Sequence, residues 1–149
     1  ALNHHFRLLP AVEDVDRHSY GTIAYGASIA ILLALFWPDQ PLAVAAGVLV
    51  MALGDGLAGL VGPQLRSPRW RVLGQGKSLA GTLAMAGGAL VVLILLQLMA
   101  QSQGIAAPAW PYLIGIALLA TALEQGSSFG IDNLSVPLSA GLLWQHWTH

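Results

Sequence analysis

Charge is so scarce in this chain, and apolar residues so continuous, that its solvent is constrained before any motif is read. From Ser78 to the C-terminus there is no Lys or Arg, and the only acids are Glu124 and Asp132. Over all 149 residues the hydrophobic share is 56% and the charged share 9%, against about 25% charged in an ordinary soluble domain. So few charges cannot coat a globular surface, and the apolar excess has to face lipid. The sequence therefore predicts an all-α, polytopic membrane helix bundle of about five transmembrane helices.

The apolar runs fall at 21–37, 42–61, 79–99, 110–123 and 134–147. The first is ended by Pro38-Asp39-Gln40-Pro41, and the second holds Asp55 near its C-terminal end. The third is the most apolar, and the fourth is entered through Trp110-Pro111-Tyr112. The fifth is short and carries Pro137 in its first turn, where proline is tolerated. Trp37, Trp110, Trp144 and Trp147 read as interfacial anchors. No repeat or second domain is visible, so 1–149 reads as one integral membrane domain, with an N-terminal segment at 1–20 and the bundle at 21–147. The chain begins with Ala1, as a processed or truncated chain would, and its first twenty residues lack the apolar core of a signal peptide.

All six cations lie in two places: Arg7 and Arg17 before the first run, then Arg66, Arg69, Arg71 and Lys77 after the second. The connections at 38–41 and 100–109 have none. The positive-inside rule makes the N-terminus and the 62–78 loop cytoplasmic. With five spans, the 124–133 connection falls on that same side. Asp55, Lys77, Glu124 and Asp132 then gather at one membrane face, as a site facing cytosolic nucleotide requires.

Some chemistry is excluded. A net charge of −1 gives no reason to expect a nucleic-acid partner. Without cysteine there is no disulfide, thiolate metal site or Cys nucleophile. His4, His5, His18, His146 and His149 lie near the ends, without the paired spacing of a zinc helix.

What remains is a small polar set. Gly54-Asp55-Gly56 continues through Ala58, Gly59 and Gly62. Small residues at this spacing let membrane helices approach closely, which explains the glycines and not Asp55. An acid at membrane depth costs roughly 2.5–3.5 kcal/mol on insertion and is a functional candidate by default. Asp55 needs a partner, either Lys77 or a divalent cation. Gly74-Gln75-Gly76-Lys77-Ser78 invites a P-loop reading that fails, because Arg71 stands where that motif requires its first Gly and no strand is expected before it. Ser78 is nevertheless a good N-cap for the third span, and Lys77, Ala80 and Gly81 beside it make a phosphate seat at a helix N-terminus. Arg66, Arg69 and Arg71 read chiefly as topology signal and lipid-headgroup contact, with a role in holding a nucleotide as the lesser reading. Glu124 ends an apolar helix where the dipole disfavours an acid, and Asp132 or Asn133 could cap the last helix. Two acids flanking a tight polar connection can also hold a divalent cation or act as a general base.

Taken in order, these residues resemble the polyprenol and phytol kinase family, relatives of dolichol kinase in the phosphatidate cytidylyltransferase superfamily. The resemblance is carried by Met51-Ala52-Leu53-Gly54-Asp55-Gly56-Leu57-Ala58 with Gly62, by Lys77-Ser78-Leu79-Ala80-Gly81-Thr82, and by Glu124 with Asp132-Asn133-Leu134-Ser135-Val136-Pro137-Leu138. Arg17-His18-Ser19-Tyr20-Gly21-Thr22 is similar to the segment that precedes the family's conserved half. The resemblance implies phosphoryl transfer, with magnesium, from CTP to a membrane-dissolved prenyl alcohol such as phytol. It implies Asp55 and Asp132 as metal-linked carboxylates, and Glu124 or Asp132 as the group that activates the hydroxyl. The nucleotide and its phosphates would be held by Gly54, Gly56, Lys77, Ser78, Gly81 and Asn133. Synthesis of a CDP-lipid from phosphatidate and a non-catalytic membrane role are the alternatives. The chain has no room for the family's further N-terminal helices, and Pro63 stands where a basic residue often follows the Gly62-type glycine. A truncated chain, or one that closes its site as a homo-oligomer, is the expectation.

Overall fold

Helix boundaries fall where the sequence supplies proline, glycine or a capping hydroxyl. The computed structural model describes residues 9–149, with side chains from Tyr20 onward. Helix α1 (Leu9–Phe36) stops just before Trp37-Pro38, and α2 (Pro41–Gln64) opens on a proline in its first turn, where no amide partner is lost. Helix α3 (Leu79–Ser102) starts behind Ser78, whose Oγ accepts from the Gly81 amide at 3.1 Å. Helix α4 (Trp110–Gly126) again carries proline in its first turn. Phe129 and Gly130, at φ 57° and 79°, then reverse the chain into α5 (Asp132–His146). Gly130 is needed for more than its dihedral, since a Cβ there would sit 2.8 Å from the Cα of Gly21 on α1.

The all-α class expected from sequence is what forms, and each apolar run corresponds to a helix. Two boundaries differ. Helix α1 begins at Leu9, inside the segment expected to precede the bundle, because 9–20 holds no breaker beyond Pro10 at the start. The 62–78 stretch is not a plain loop. After α2 it forms an antiparallel hairpin, β1 (Arg69–Val72) and β2 (Gln75–Ser78), with Trp70 opposite Lys77 and Arg71 opposite Gly76. Leu73 and Gly74 make its turn at positive φ. A strand therefore does precede Lys77, contrary to expectation, but Arg71 still occupies the place of the missing P-loop glycine.

Close backbone contact holds the bundle together. On α2, Gly54 lies against Met85 of α3, and Gly62 against Ser78 and Gly81. On α3, Gly88 lies against the Leu53 carbonyl and the Gly54 Cα. At the opposite end Gly47 meets the Pro137 carbonyl of α5, and Gly141 meets Ala43 of α2, both pressed by Leu32 of α1. Small residues here exchange side-chain volume for helix proximity. Between the seams lies an apolar core that includes Val50, Met85, Leu93, Ile116, Val136 and Trp144. Trp144 is thus a core residue and not the interfacial anchor expected of it. Trp147 is half-buried and stacks on Tyr112, with ring centroids 4.9 Å apart. Trp37 and Trp110 stay exposed.

Helices α2 and α3, of 24 residues each, are long and apolar enough to cross a membrane, and Tyr20–Phe36 of α1 is a shorter apolar stretch. At about 1.5 Å per residue, 24 residues exceed the roughly 30 Å of bilayer hydrocarbon. Their outward faces carry Leu57, Leu60, Leu83, Val91 and Leu95, all exposed. Helices α4 and α5 are shorter, at 17 and 15 residues.

Candidate functional site

The connections between helices are short, so helix ends alternate, and the C-terminal ends of α2 and α4 meet the N-terminal end of α3 beside the hairpin. A cavity of about 500 Å³ lies where they meet. Helix α2 contributes Asp55, Ala58, Gly59 and Gly62, and α3 contributes Gly81 and Thr82. The hairpin adds Arg69, Trp70, Arg71 and Lys77, and α4 ends on Glu124 and Gln125.

Lys77 and Glu124 decide how this cavity is charged. The Lys77 ammonium forms an ion pair with Glu124 Oε1 and also donates to the Glu124 backbone oxygen at 3.0 Å. The other carboxylate oxygen of Glu124 accepts from Gln125 Nε2 at 2.7 Å. The two side chains are 9% and 8% exposed, so both charges are largely withdrawn from water and depend on each other. This accounts for an acid at the C-terminal end of an apolar helix: Glu124 neutralises a lysine that the hairpin turns inward. With both oxygens engaged, Glu124 holds Lys77 in place.

Asp55 is left without that lysine. Its carboxylate is exposed at the cavity wall and has no hydrogen bond or ion pair among the described residues. Asp132, Glu124 and Lys77 all lie near enough to interact with it electrostatically. Of the two partners open to Asp55 from sequence, Lys77 is taken, and a divalent cation remains. Among the described residues no group of three His, Cys, Asp or Glu side chains forms an all-protein metal cage. Asp132 does not line the cavity, but its Oδ1 is buried without a hydrogen-bond partner, an arrangement that calls for a cation or a donor. The donor chemistry of Asp55 and Asp132 therefore fits a hard divalent ion.

The phosphate seat expected at the start of α3 takes a different form. The Leu79 amide donates to the Pro68 carbonyl at 3.0 Å, the Ala80 amide to Ser67 Oγ at 3.1 Å, and the Gly81 amide to Ser78 Oγ. The first three amides are thus satisfied within the protein, and an anion at this end meets cationic side chains instead. Ser78 and Gly81 remain on the cavity wall. Gly54 and Gly56 do not line it: Gly54 faces Met85, and Gly56 faces open space with no atom within 4 Å of a Cβ. Asn133 lies against Gly21 of α1, also away from the cavity. Neither Asp132 nor Asn133 caps α5 with its side chain; Ile131 holds that position. Arg17 and His18 carry side chains outside the described residues.

Sequence reasoning gave Arg66, Arg69 and Arg71 chiefly to topology and lipid contact and a ligand-holding role only second place; Arg69, Trp70 and Arg71 line the cavity. The available signal was alternation of Arg and apolar residues before Leu73-Gly74, which marks a short hairpin.

Comparison with known proteins finds relatives among lipid-alcohol kinases. The chain is 38% identical to a phytol kinase of Synechocystis over 143 residues, covering 95% of this chain and 60% of that protein. It is 29% identical to a probable chloroplastic phytol kinase of Glycine max, covering 83% of this chain and 40% of the relative. To a dolichol kinase of Arabidopsis thaliana it is 27% identical, over 80% of this chain and 21% of the relative. The chain thus spans 60% or less of the length of these relatives. No protein-family profile and no solved structure matches it. On these relatives, and on the residues that carry the likeness, the chain is a member of the phytol and polyprenol kinase family.

Proposed function

We propose that this chain transfers a phosphoryl group from CTP to a membrane-dissolved isoprenoid alcohol, phytol or a related prenyl alcohol, at the cytoplasmic face of a membrane. The observation that carries this reading is the division of labour in the cavity: a lysine fixed by Glu124 beside an Asp55 carboxylate that has no protein partner. Phosphoryl transfer asks little covalent chemistry of a protein and is mostly positioning and charge neutralisation. Asp55 and Asp132 would hold magnesium, which when bound supplies charge neutralisation at the transferred phosphoryl oxygens. Lys77 adds a fixed positive charge on the same side, at a position set by two contacts to Glu124. Glu124 is held by Lys77 and Gln125, so the Asp132 carboxylate oxygen not taken by the ion is the one suited to receive the alcohol proton. The exposed apolar faces of α2 and α3 support bilayer embedding, so an alcohol could approach from lipid with its tail among the helices.

The test is incubation of membranes carrying the chain with labelled CTP or ATP and a panel of prenyl alcohols. Label appearing in a prenyl monophosphate, with CTP preferred, is the expected result. Pyrophosphate release with formation of a CDP-lipid, even when prenyl alcohols are supplied, would overturn the kinase reading.

A further inference from the structure

Helices α1 and α2 are pressed together at one end and part at the other. Near the 37–40 connection they close: Leu32 of α1 lies against Gly47 of α2, and the Tyr25 hydroxyl donates to the Val48 carbonyl at 2.8 Å. At 3.6 residues per turn, Ala52, Asp55 and Gly59 follow Val48 along one face of α2. All three are exposed, and a Cβ on Gly59 would meet nothing within 4 Å among the described residues. Helix α1 has therefore left this face about one turn past Val48. Its Gly21 lies instead against Gly130 and Asn133, where α5 begins. Because α5 packs against both helices, the gap between α1 and α2 is a wedge, shut at its apex by Tyr25 and open sideways below it. Asp55 stands on one wall, about 14 Å along the helix axis from the C-terminal end of α2. Asp55 and Gly59 also border the cavity, so wedge and cavity share that carboxylate.

We propose that this wedge is the lateral entry for the lipid alcohol, seating its first isoprene unit against Ala52 with the hydroxyl beside Asp55, and that the rest of the tail stays in lipid. This deepens the lipid-alcohol reading above and rests on it. An exposed carboxylate at such depth calls for a hydrogen-bond donor carried on an apolar body, and an alcohol with a hydrocarbon tail is both. A second copy of this chain suits the wedge less well, since none of its apolar runs carries a Lys or Arg to offer Asp55. The contact between Tyr25 and Val48 bars a tail from threading between the helices toward the 37–40 end, so it must leave sideways. Isoprene units beyond the wedge are then surrounded by acyl chains whether the alcohol is free or bound, and add nothing to affinity. The site reads the hydroxyl end of the alcohol and not its length.

The experiment uses the 149-residue chain in phosphatidylcholine nanodiscs with magnesium and labelled CTP, and supplies farnesol, phytol or a long polyprenol at equal mole fraction in the lipid. Ala52→Trp is expected to raise the KM for all three alcohols about tenfold or more, with the KM for CTP and thermal unfolding unchanged. Ala52→Leu should give a smaller rise in the same direction. Leu60→Trp, on an exposed face of α2 turned away from the wedge, should match the parent. Farnesol bearing a diazirine in its first isoprene unit should, on illumination, label peptides of α1 and α2 and not of α3. An unchanged alcohol KM in both Ala52 variants overturns the wedge while the kinase reading stands. A tenfold difference in kcat/KM between farnesol and the polyprenol shows that the protein reads the tail, and overturns the claim on length. Conversion of a dimer to a monomer by Ala52→Trp, seen by native mass spectrometry at unchanged alcohol KM, would give this face to a second copy and sink the proposal. If the parent phosphorylates none of the alcohols, the kinase reading itself fails, and the position of the photolabel still decides the wedge.

Discussion

The two ends of the α2 helix face opposite demands. Toward its N-terminus Gly47 lies where α1 and α5 close in, and an added Cβ would stand 2.5 Å from the Pro137 carbonyl. Toward its C-terminus Asp55, Ala58, Gly59 and Gly62 border a cavity of about 500 Å³. Small residues thus serve close packing at the first end, while at the second Gly62 still packs against Ser78 and Gly81 and Gly59 borders open room, and only neighbours decide which. A small-residue stripe read from sequence tells that helices approach, but not where they stand apart.

Asp55→Asn should produce the largest change, and at the open end. With no protein partner to lose, it should leave thermal unfolding unchanged. Losing one of the two carboxylates that would hold magnesium should lower turnover by about two orders of magnitude or more. Full turnover in this variant would remove Asp55 from the chemistry. Lys77→Met should damage both properties, because Glu124 is left nearly buried without a counter-charge, at a cost of about 3–5 kcal/mol. Adding Glu124→Gln to it should restore much of the stability and none of the activity. Unfolding of the single and double variants in one detergent gives the coupling, and simple additivity would show the pair to be incidental. At the packed end, Gly47→Val is expected to lose about 1–3 kcal/mol through overpacking against the Pro137 backbone, with unaltered nucleotide affinity in the protein that remains folded. Gly56→Ala should do least: with open space around it, stability should move by no more than about 0.5 kcal/mol and the KM for nucleotide should not move. A clear rise in that KM would restore Gly56 to the binding site.

Much of this arrangement was legible in the residues. Long apolar runs separated by proline and glycine placed all five helices, and the scarcity of charge pointed to Asp55, Lys77 and Glu124 before any contact was known. Ser78 was readable as a cap because its hydroxyl stands just ahead of an apolar run. The pairing of Lys77 with Glu124 was not readable, since 47 residues separate them and local pattern says nothing about such a contact. Nor could the sequence show that Ser67 and Pro68 fold back to occupy the first amides of α3, which changes an open anion seat into a closed one. Trp144 was misplaced because an indole near a chain end resembles an anchor, whereas tertiary packing draws it into the core.

Because the lysine of the hairpin finds its counter-charge on α4, the order of biosynthesis acquires meaning. While the ribosome has delivered the first three helices alone, the Glu124 carboxylate is missing and Asp55 on α2 is the acid within the lysine's reach. Arrival of the fourth helix supplies the acid and a backbone oxygen together. The nearly buried ion pair is therefore completed only once a helix made well after the lysine is in place.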